Sequence, residues 1–263
     1  MNSDLDLIAE AAREAGALAR DLRRRGLEVE YKSADRSPVT NADLAADRLL
    51  TERLRGARPD YGWLSEETAD DPARLEARRI FVVDPIDGTR AFLKDRPWWS
   101  VAIAVIDDGR VVAGAVYAPE ADALYLAAEG QGATRNGEAI RASGADALED
   151  CRMVGDPMVF RHAAWPTPWP SMRVEPRSST AYRMCLVAEG DFDAAVAPVA
   201  KSDWDVAAGD LIAREAGCFV GDHRGDVFRF NRPRPSQASL ICATPVLAPL
   251  ILARFRPMAT PQN

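Results

Sequence analysis

The sequence predicts a mixed α/β chain, with an α+β amino-terminal half built on an antiparallel sheet and an α/β carboxyl-terminal half. Three observations carry this. Apolar residues recur at helical spacing from the start of the chain. A buried apolar run over residues 80–83 leads into a β-meander. Beyond residue 150, short apolar runs alternate with helical stretches. A lull over residues 142–150 predicts domains of 1–145 and 146–263.

Ser3 with Asp6 three positions on forms a capping-box pattern, and Leu5, Ile8, Ala12, Ala15, Leu18 and Leu22 follow at helical spacing. This helix runs to about Arg25 and ends at Gly26. Residues 27–38, with Lys32 and Ser33, read as strand or loop. A second helix begins at Thr40, with Asp43 three residues later and Ala46, Leu49, Leu50 and Leu54 turned inward. Asp43 has a plain explanation, since a first-turn carboxylate complements the helix dipole by ~0.3–1 kcal/mol. W-L-S-E-E-T, residues 63–68, reads as a solvated acidic loop unless Glu66 or Glu67 turns to the next stretch.

Ile80, Phe81, Val82 and Val83 predict a strand buried on both faces. It ends in D-P-I-D-G-T. Pro85 fixes one φ angle and Gly88 permits a turn that a Cβ would forbid, so Asp84 and Asp87 emerge together. Thr89 is read as the cap of a short helix over 90–94, whose free N–H groups suit a phosphate oxygen. Two carboxylates beside such a helix start would repel the anion without a metal between them. The meander then predicts strands over 101–106, 111–117 and 124–127, with Asp107-Asp108-Gly109 and Asn136-Gly137 as turns. G-Q-G-A-T-R, residues 130–135, lacks a third glycine and leads into a hairpin, so it is no dinucleotide fingerprint.

In the second half a strand is expected over 152–154, followed by a Pro- and Trp-rich loop over 157–176. Ser178-Ser179 opens a helix that Gly190 ends. A strand follows over 192–199, then a helix over 203–216, capped by Asp203 and stopped at Gly217. A strand over 240–243, a helix over 245–255 and a frayed terminus complete the chain.

The chain has 263 residues, 47% hydrophobic and 28% charged, enough for a large core. A net charge of −7 argues against a duplex-binding surface, which needs a basic face. The acidic N-terminus lacks the apolar stretch of a signal peptide, and no window approaches the ~18 apolar residues of a membrane span. Four widely spaced cysteines form no Cys-x-x-Cys pair and read as reduced thiols. A cytoplasmic protein is expected, with no nucleic-acid or membrane partner.

Chemistry concentrates in oxygen donors: Glu66 or Glu67, Asp84, Asp87, and Asp205 in S-D-W-D-V-A-A-G. The two histidines, His162 and His223, have no ligand spacing. Hard oxygen ligands without His or Cys point to Mg²⁺ or Mn²⁺. Thr89 could orient a water, with Asp43 or a glutamate as proton acceptor, and a metal-assisted phosphomonoesterase follows.

D-P-I-D-G-T with the downstream W-D-V-A-A-G resembles the paired signature of the inositol monophosphatase family, magnesium-dependent and lithium-sensitive phosphatases. The resemblance covers nearly the whole chain. It implies a layered α-β-α-β-α sandwich, commonly dimeric, so a homodimer is expected. It implies two or three Mg²⁺ ions. One would be held by Glu66, Asp84, the Ile86 carbonyl and Thr89, and a second by Asp84, Asp87 and Asp205. Asp43, Glu66 and Thr89 would be catalytic, and Asp87, Gly88 and Thr89 would hold the phosphate. K-S-x-x-x-S-P-V-T-x-A-D, L-S-E-E and S-S-x-x-Y-R-M-C-L-V-A-E-G look closer to the bacterial 3′(2′),5′-bisphosphate nucleotidases, which convert 3′-phosphoadenosine 5′-phosphate to AMP. Ser179, Arg177, Arg183 and Lys201 are the candidate substrate contacts. Inositol 1-phosphate and histidinol phosphate are the alternative substrates, and a transcription-associated interaction protein of the SuhB type is the non-enzymatic one. The haloacid dehalogenase phosphatases carry D-x-D-G-T, but here Pro85 and Ile86 both separate the aspartates.

Overall fold

A computed structural model describes residues 3–33, 36–163, 165 and 167–255. Helix α1 (Asp4–Arg25) starts at the Ser3–Asp6 capping box and ends at Gly26, where φ is 114. A hairpin, β1 (Val29–Tyr31) and β2 (Pro38–Thr40), leads into α2 (Asn41–Ala57). Then follow β3 (Gly62–Ser65), β4 (Arg79–Asp87), the short α3 (Thr89–Leu93) and the meander β5 (Ser100–Asp107), β6 (Arg110–Ala118), β7 (Ala123–Ala128), β8 (Ala133–Arg135) and β9 (Glu138–Ala139). The second half runs β10 (Arg152–Val154), α4 (Pro157–Arg161), β11 (Arg173–Glu175), α5 (Thr180–Ala188), β12 (Ala194–Ala197), β13 (Lys201–Ser202), α6 (Asp203–Glu215), β14 (Phe219–Gly221), β15 (Ser236–Gln237), β16 (Leu240–Ala243) and α7 (Leu247–Phe255).

Strands β3 to β9 form one sheet in sequence order, antiparallel except for the parallel β3–β4 pair. A second sheet has the order β11-β10-β12-β16-β14. The period of two along each strand explains the layering. On β4, Phe81 and Val83 pack with α1 and α2, while Ile80 and Val82 face α5 and α6. On β12, Ala195 and Ala197 meet that same helical layer, and Ala194 and Val196 face α7. The result is α-β-α-β-α, two helices between two sheets and helices outside each. Strand β6 approaches α6 closely: a Cβ at Gly114 would lie 2.9 Å from the Ala208 carbonyl oxygen.

Several expected elements need correction. The 157–176 stretch is not only loop, since α4 begins at Pro157, a position where proline is pre-set for helix, and β11 adds a parallel edge strand. The strand expected over 192–199 spans only Ala194–Ala197, and the last helix starts at Leu247. Residues 63–65, read as loop, belong to β3. The expected frayed terminus lies outside the described residues. Ser202 rather than Asp203 caps α6; Asp203 turns inward, its Oδ1 accepting from Gln237 Nε2 at 2.8 Å.

Candidate active site

Strand β4 loses register with β5 between Asp84 and Asp87, a bulge that aims both carboxylates toward the same end of the sheet. Gly88 then takes φ 98, and a Cβ there would meet the Trp98 carbonyl oxygen at 2.9 Å. Glycine is needed on both counts. This corrects the expected cap: Gly88 is the N-cap of α3 and Thr89 its first helical residue. The Thr89 hydroxyl is thereby free to turn to Asp43 Oδ1 at 3.3 Å and the Ile86 carbonyl at 3.2 Å.

Asp84, Asp87 and Asp205 each offer an oxygen, all within 4.8 Å of one another. Asp87 accepts from Ser179 Oγ at 2.6 Å and from the Thr180 and Ala181 amides at 3.1 and 2.7 Å, at the start of α5. Asp205 accepts from the Ser202 amide at 3.3 Å, with Lys201 Nζ at 3.9 Å. Asp84 accepts from the Ile86 amide through Oδ1, while its buried Oδ2 has no hydrogen-bond partner among the described residues. Burial, then repulsion from Glu66, Asp87 and Asp205, pushes the Asp84 carboxyl well up. Burial and Asp87 likewise raise Asp205, to about 7. An orphaned carboxylate oxygen beside two further acids fits a hard divalent cation, whose charge would repay the desolvation.

Glu66 lies outside that compact triad. Its Oε1 and the Glu67 Oε1 each accept from Lys32 Nζ at 2.9 Å, a residue that follows β1 on the hairpin. Burial, then repulsion from Glu66, pushes Glu67 up to about 7. Asp43 is buried at the start of α2, where Oδ2 accepts from the Thr40 amide at 2.8 Å and hydroxyl at 2.5 Å. Burial raises its pKa to about 6 against those bonds.

Glu66, Asp84, Asp87, Gly88, Thr89, Arg177, Arg183, Lys201 and Asp205 all line one cleft of about 780 Å³. Its lining also includes the apolar Val159, Val196, Ala197, Pro198 and Val199, together with the polar Ser37, Arg90, Asp156 and Ser178. The expected substrate contacts divide. Ser179 does not face the cleft: it is 0% exposed, gives its proton to Asp87 and accepts from the Tyr182 amide. Arg177 is engaged with Glu175 and stacks over Trp98 at 4.5 Å. Arg183 is 7% exposed, bonds the Ser179 carbonyl and Thr180 Oγ1, and makes no ion pair among the described residues. Sequence reasoning missed Lys32 on the two glutamates and the hold of α5 on Asp87. Neither pairing leaves a local pattern.

The model of the inositol monophosphatase family matches residues 2–258. The chain is 32% identical to the Nus factor SuhB of Pasteurella multocida, over 98% of this chain and 97% of that one. It is 33% identical to the 3′(2′),5′-bisphosphate nucleotidase CysQ of Salmonella typhimurium, over 88% and 95%. Among solved structures, the Thermotoga maritima IMPase superposes with a TM-score of 0.83 at 28% identity, covering 96% of both chains. No helix among the described residues is long and apolar enough to cross a membrane. The clustered acids at the end of β4, the layered fold and the whole-length match agree, and the chain belongs to the inositol monophosphatase family, whose members are phosphatases and so hydrolases.

Proposed function

We propose that the chain is a Mg²⁺-dependent phosphomonoesterase that removes one phosphate from a 3′(2′),5′-bisphosphate nucleotide. Asp84, Asp87 and Asp205 would hold the metal, joined by Glu66, the Ile86 carbonyl and Thr89. When bound, the cation supplies charge neutralisation at the phosphate and acidifies water. The chain's own residues do the rest. Thr89 is hydrogen-bonded to Asp43, so its hydroxyl can pass a proton from the attacking water to a carboxylate whose raised pKa, about 6, suits an acceptor near neutrality. As water oxygen bonds to phosphorus, the ester P–O bond breaks and the leaving oxygen takes up a proton from solvent, while the proton lost by the attacking water rests on Asp43. The backbone at Gly88 and Thr89 would seat the phosphate.

The single observation that carries the substrate reading is Arg183, a nearly buried guanidinium lining the cleft without an ion pair among the described residues. Arg183 bonds the Ser179 carbonyl and Thr180 Oγ1 and lies near Asp87, Asp205 and Asp156, and a second phosphate would add a charged partner to it. The apolar lining residues favour a nucleobase over a polyol, whose hydroxyls would lose water against valine and alanine. The test is kcat/KM with Mg²⁺ for 3′-phosphoadenosine 5′-phosphate, inositol 1-phosphate and histidinol phosphate, in wild type and Arg183→Gln. The expected result is at least a tenfold preference for the nucleotide that Arg183→Gln erases, ~1.4 kcal/mol or more of discrimination. A preference for inositol 1-phosphate would overturn the substrate while keeping the phosphatase. No turnover of any of them would favour the SuhB-like interaction reading.

A further inference from the structure

Glu66 and Glu67 sit just beyond the end of β3, an edge strand, in a turn bonded backbone to backbone to the sheet through the Glu66 amide and the Val83 carbonyl, at 3.2 Å. Their carboxylates face Asp43 and Asp84, which repel them, and Lys32 on the hairpin, which attracts them. Left to these forces, the turn would follow the hairpin. One residue opposes that. Asp47 lies one turn beyond Asp43 on the same face of α2 and is 8% exposed. Its Oδ1 accepts from Ser65 Oγ at 2.5 Å and its Oδ2 from Thr68 Oγ1 at 2.9 Å. Those two hydroxyls flank Glu66 and Glu67 in sequence. Thr68 Oγ1 in turn accepts from Trp63 Nε1 at 3.3 Å, which ties the turn back to β3.

We infer that Asp47 is a positioning residue, clamping the turn from both sides so that Glu66 stays aimed at the aspartate cluster. The clamp rests on the reading of Glu66 as a metal ligand. It has a clear geometric logic. One helix face supplies both the carboxylate that bonds Thr89 and the carboxylate that holds the turn, so α2 fixes the distance between them. Both acceptor oxygens of Asp47 are used, and it makes no ion pair among the described residues, so its charge strengthens two short hydrogen bonds.

The test is Mg²⁺ binding by calorimetry, without substrate, on wild type, Asp47→Asn, Thr68→Val and Glu66→Gln, with each variant's melting temperature in EDTA. An amide at position 47 keeps one strong acceptor and loses the other. Thr68 is exposed, so Thr68→Val keeps the fold even if Asp47→Asn does not. Expected are a Mg²⁺ affinity at least fivefold weaker in Asp47→Asn, about threefold weaker in Thr68→Val, and weaker still in Glu66→Gln. The Thr68→Val loss should vanish in the Asp47→Asn background. Wild-type affinity in Asp47→Asn or, should that variant not fold, in Thr68→Val, beside a weakened Glu66→Gln, would overturn the clamp alone. Wild-type affinity in Glu66→Gln would overturn both the clamp and the ligand reading beneath it.

Discussion

Asp84 is in an unfavourable electrostatic position for a carboxylate. It is buried, its Oδ2 has no donor among the described residues, and Glu66, Asp87 and Asp205 all repel its charge. Asp205 shares that repulsion with some relief from Lys201. Removing one charge should therefore have opposite effects on turnover and on the metal-free fold. Asp205→Asn is expected to lower kcat by roughly 10²–10³-fold or more, the scale of losing a preorganised charge-stabilising group. In EDTA the same variant should melt no lower than wild type, since a repulsion is gone. Phosphate release and a thermal melt read the two effects; wild-type turnover would sink the ligand assignment. At this scale much was legible. Asp84, Asp87 and Asp205 stand in two compact motifs, and their residue types alone pointed to a hard cation. Ser179 was legible as a helix start, but its bond to Asp87, which spans 92 residues of sequence, was not.

Helix α5 connects that residue chemistry to secondary structure. Its first turn donates to Asp87 through the Thr180 and Ala181 amides, while Ser179 Oγ caps the helix at the Tyr182 amide and also donates to Asp87. The carboxylate completes the helix start, and the helix orients the carboxylate. Ser179→Ala removes the cap and one donor to a buried acid at once. It is expected to cost about 1–2 kcal/mol, the upper range for a cap. In a chain of this size that lowers the melting temperature by roughly 2–8 °C, and Ser179→Thr should recover part of it. An unchanged melt in Ser179→Ala would show the cap to be energetically idle. Long elements were legible from their period: α1, α2, α6 and the meander lie close to where pattern alone put them. The misses are short or non-local. Strands β13 and β15 have two residues each and exist only as a pair, and β11 is held at an edge by β10.

At the scale of the whole molecule, the acids concentrated at one end of the large sheet make stability depend on pH and metal together. Burial raises Asp43 to about 6, and Glu67 and Asp205 to about 7, from ordinary values of 3.8 and 4.5. Between pH ~4 and ~7 the folded chain thus binds more protons than the unfolded one, so metal-free stability is highest at the acid end and falls as pH rises. Acids held below their ordinary values, such as Asp193 with Arg152 and Asp222 with Arg224, work in the opposite direction. Their contribution is complete once pH exceeds the ordinary carboxylate range, so it leaves the window from pH 5 to 8 clear. Mg²⁺ binds the deprotonated acids and competes with protons. At a hundredfold excess over its dissociation constant it should add about 2.7 kcal/mol. The expected outcome is a melting temperature in EDTA that declines from pH 5 to pH 8, and a Mg²⁺-induced rise that is small at pH 5 and several degrees at pH 8. Melts at four pH values with and without 5 mM Mg²⁺ (roughly the excess that makes linkage visible) decide it. An EDTA profile flat across the window would mean that these acids titrate independently of the fold, and an equal Mg²⁺ shift at both ends would mean that the cation does not compete with their protons.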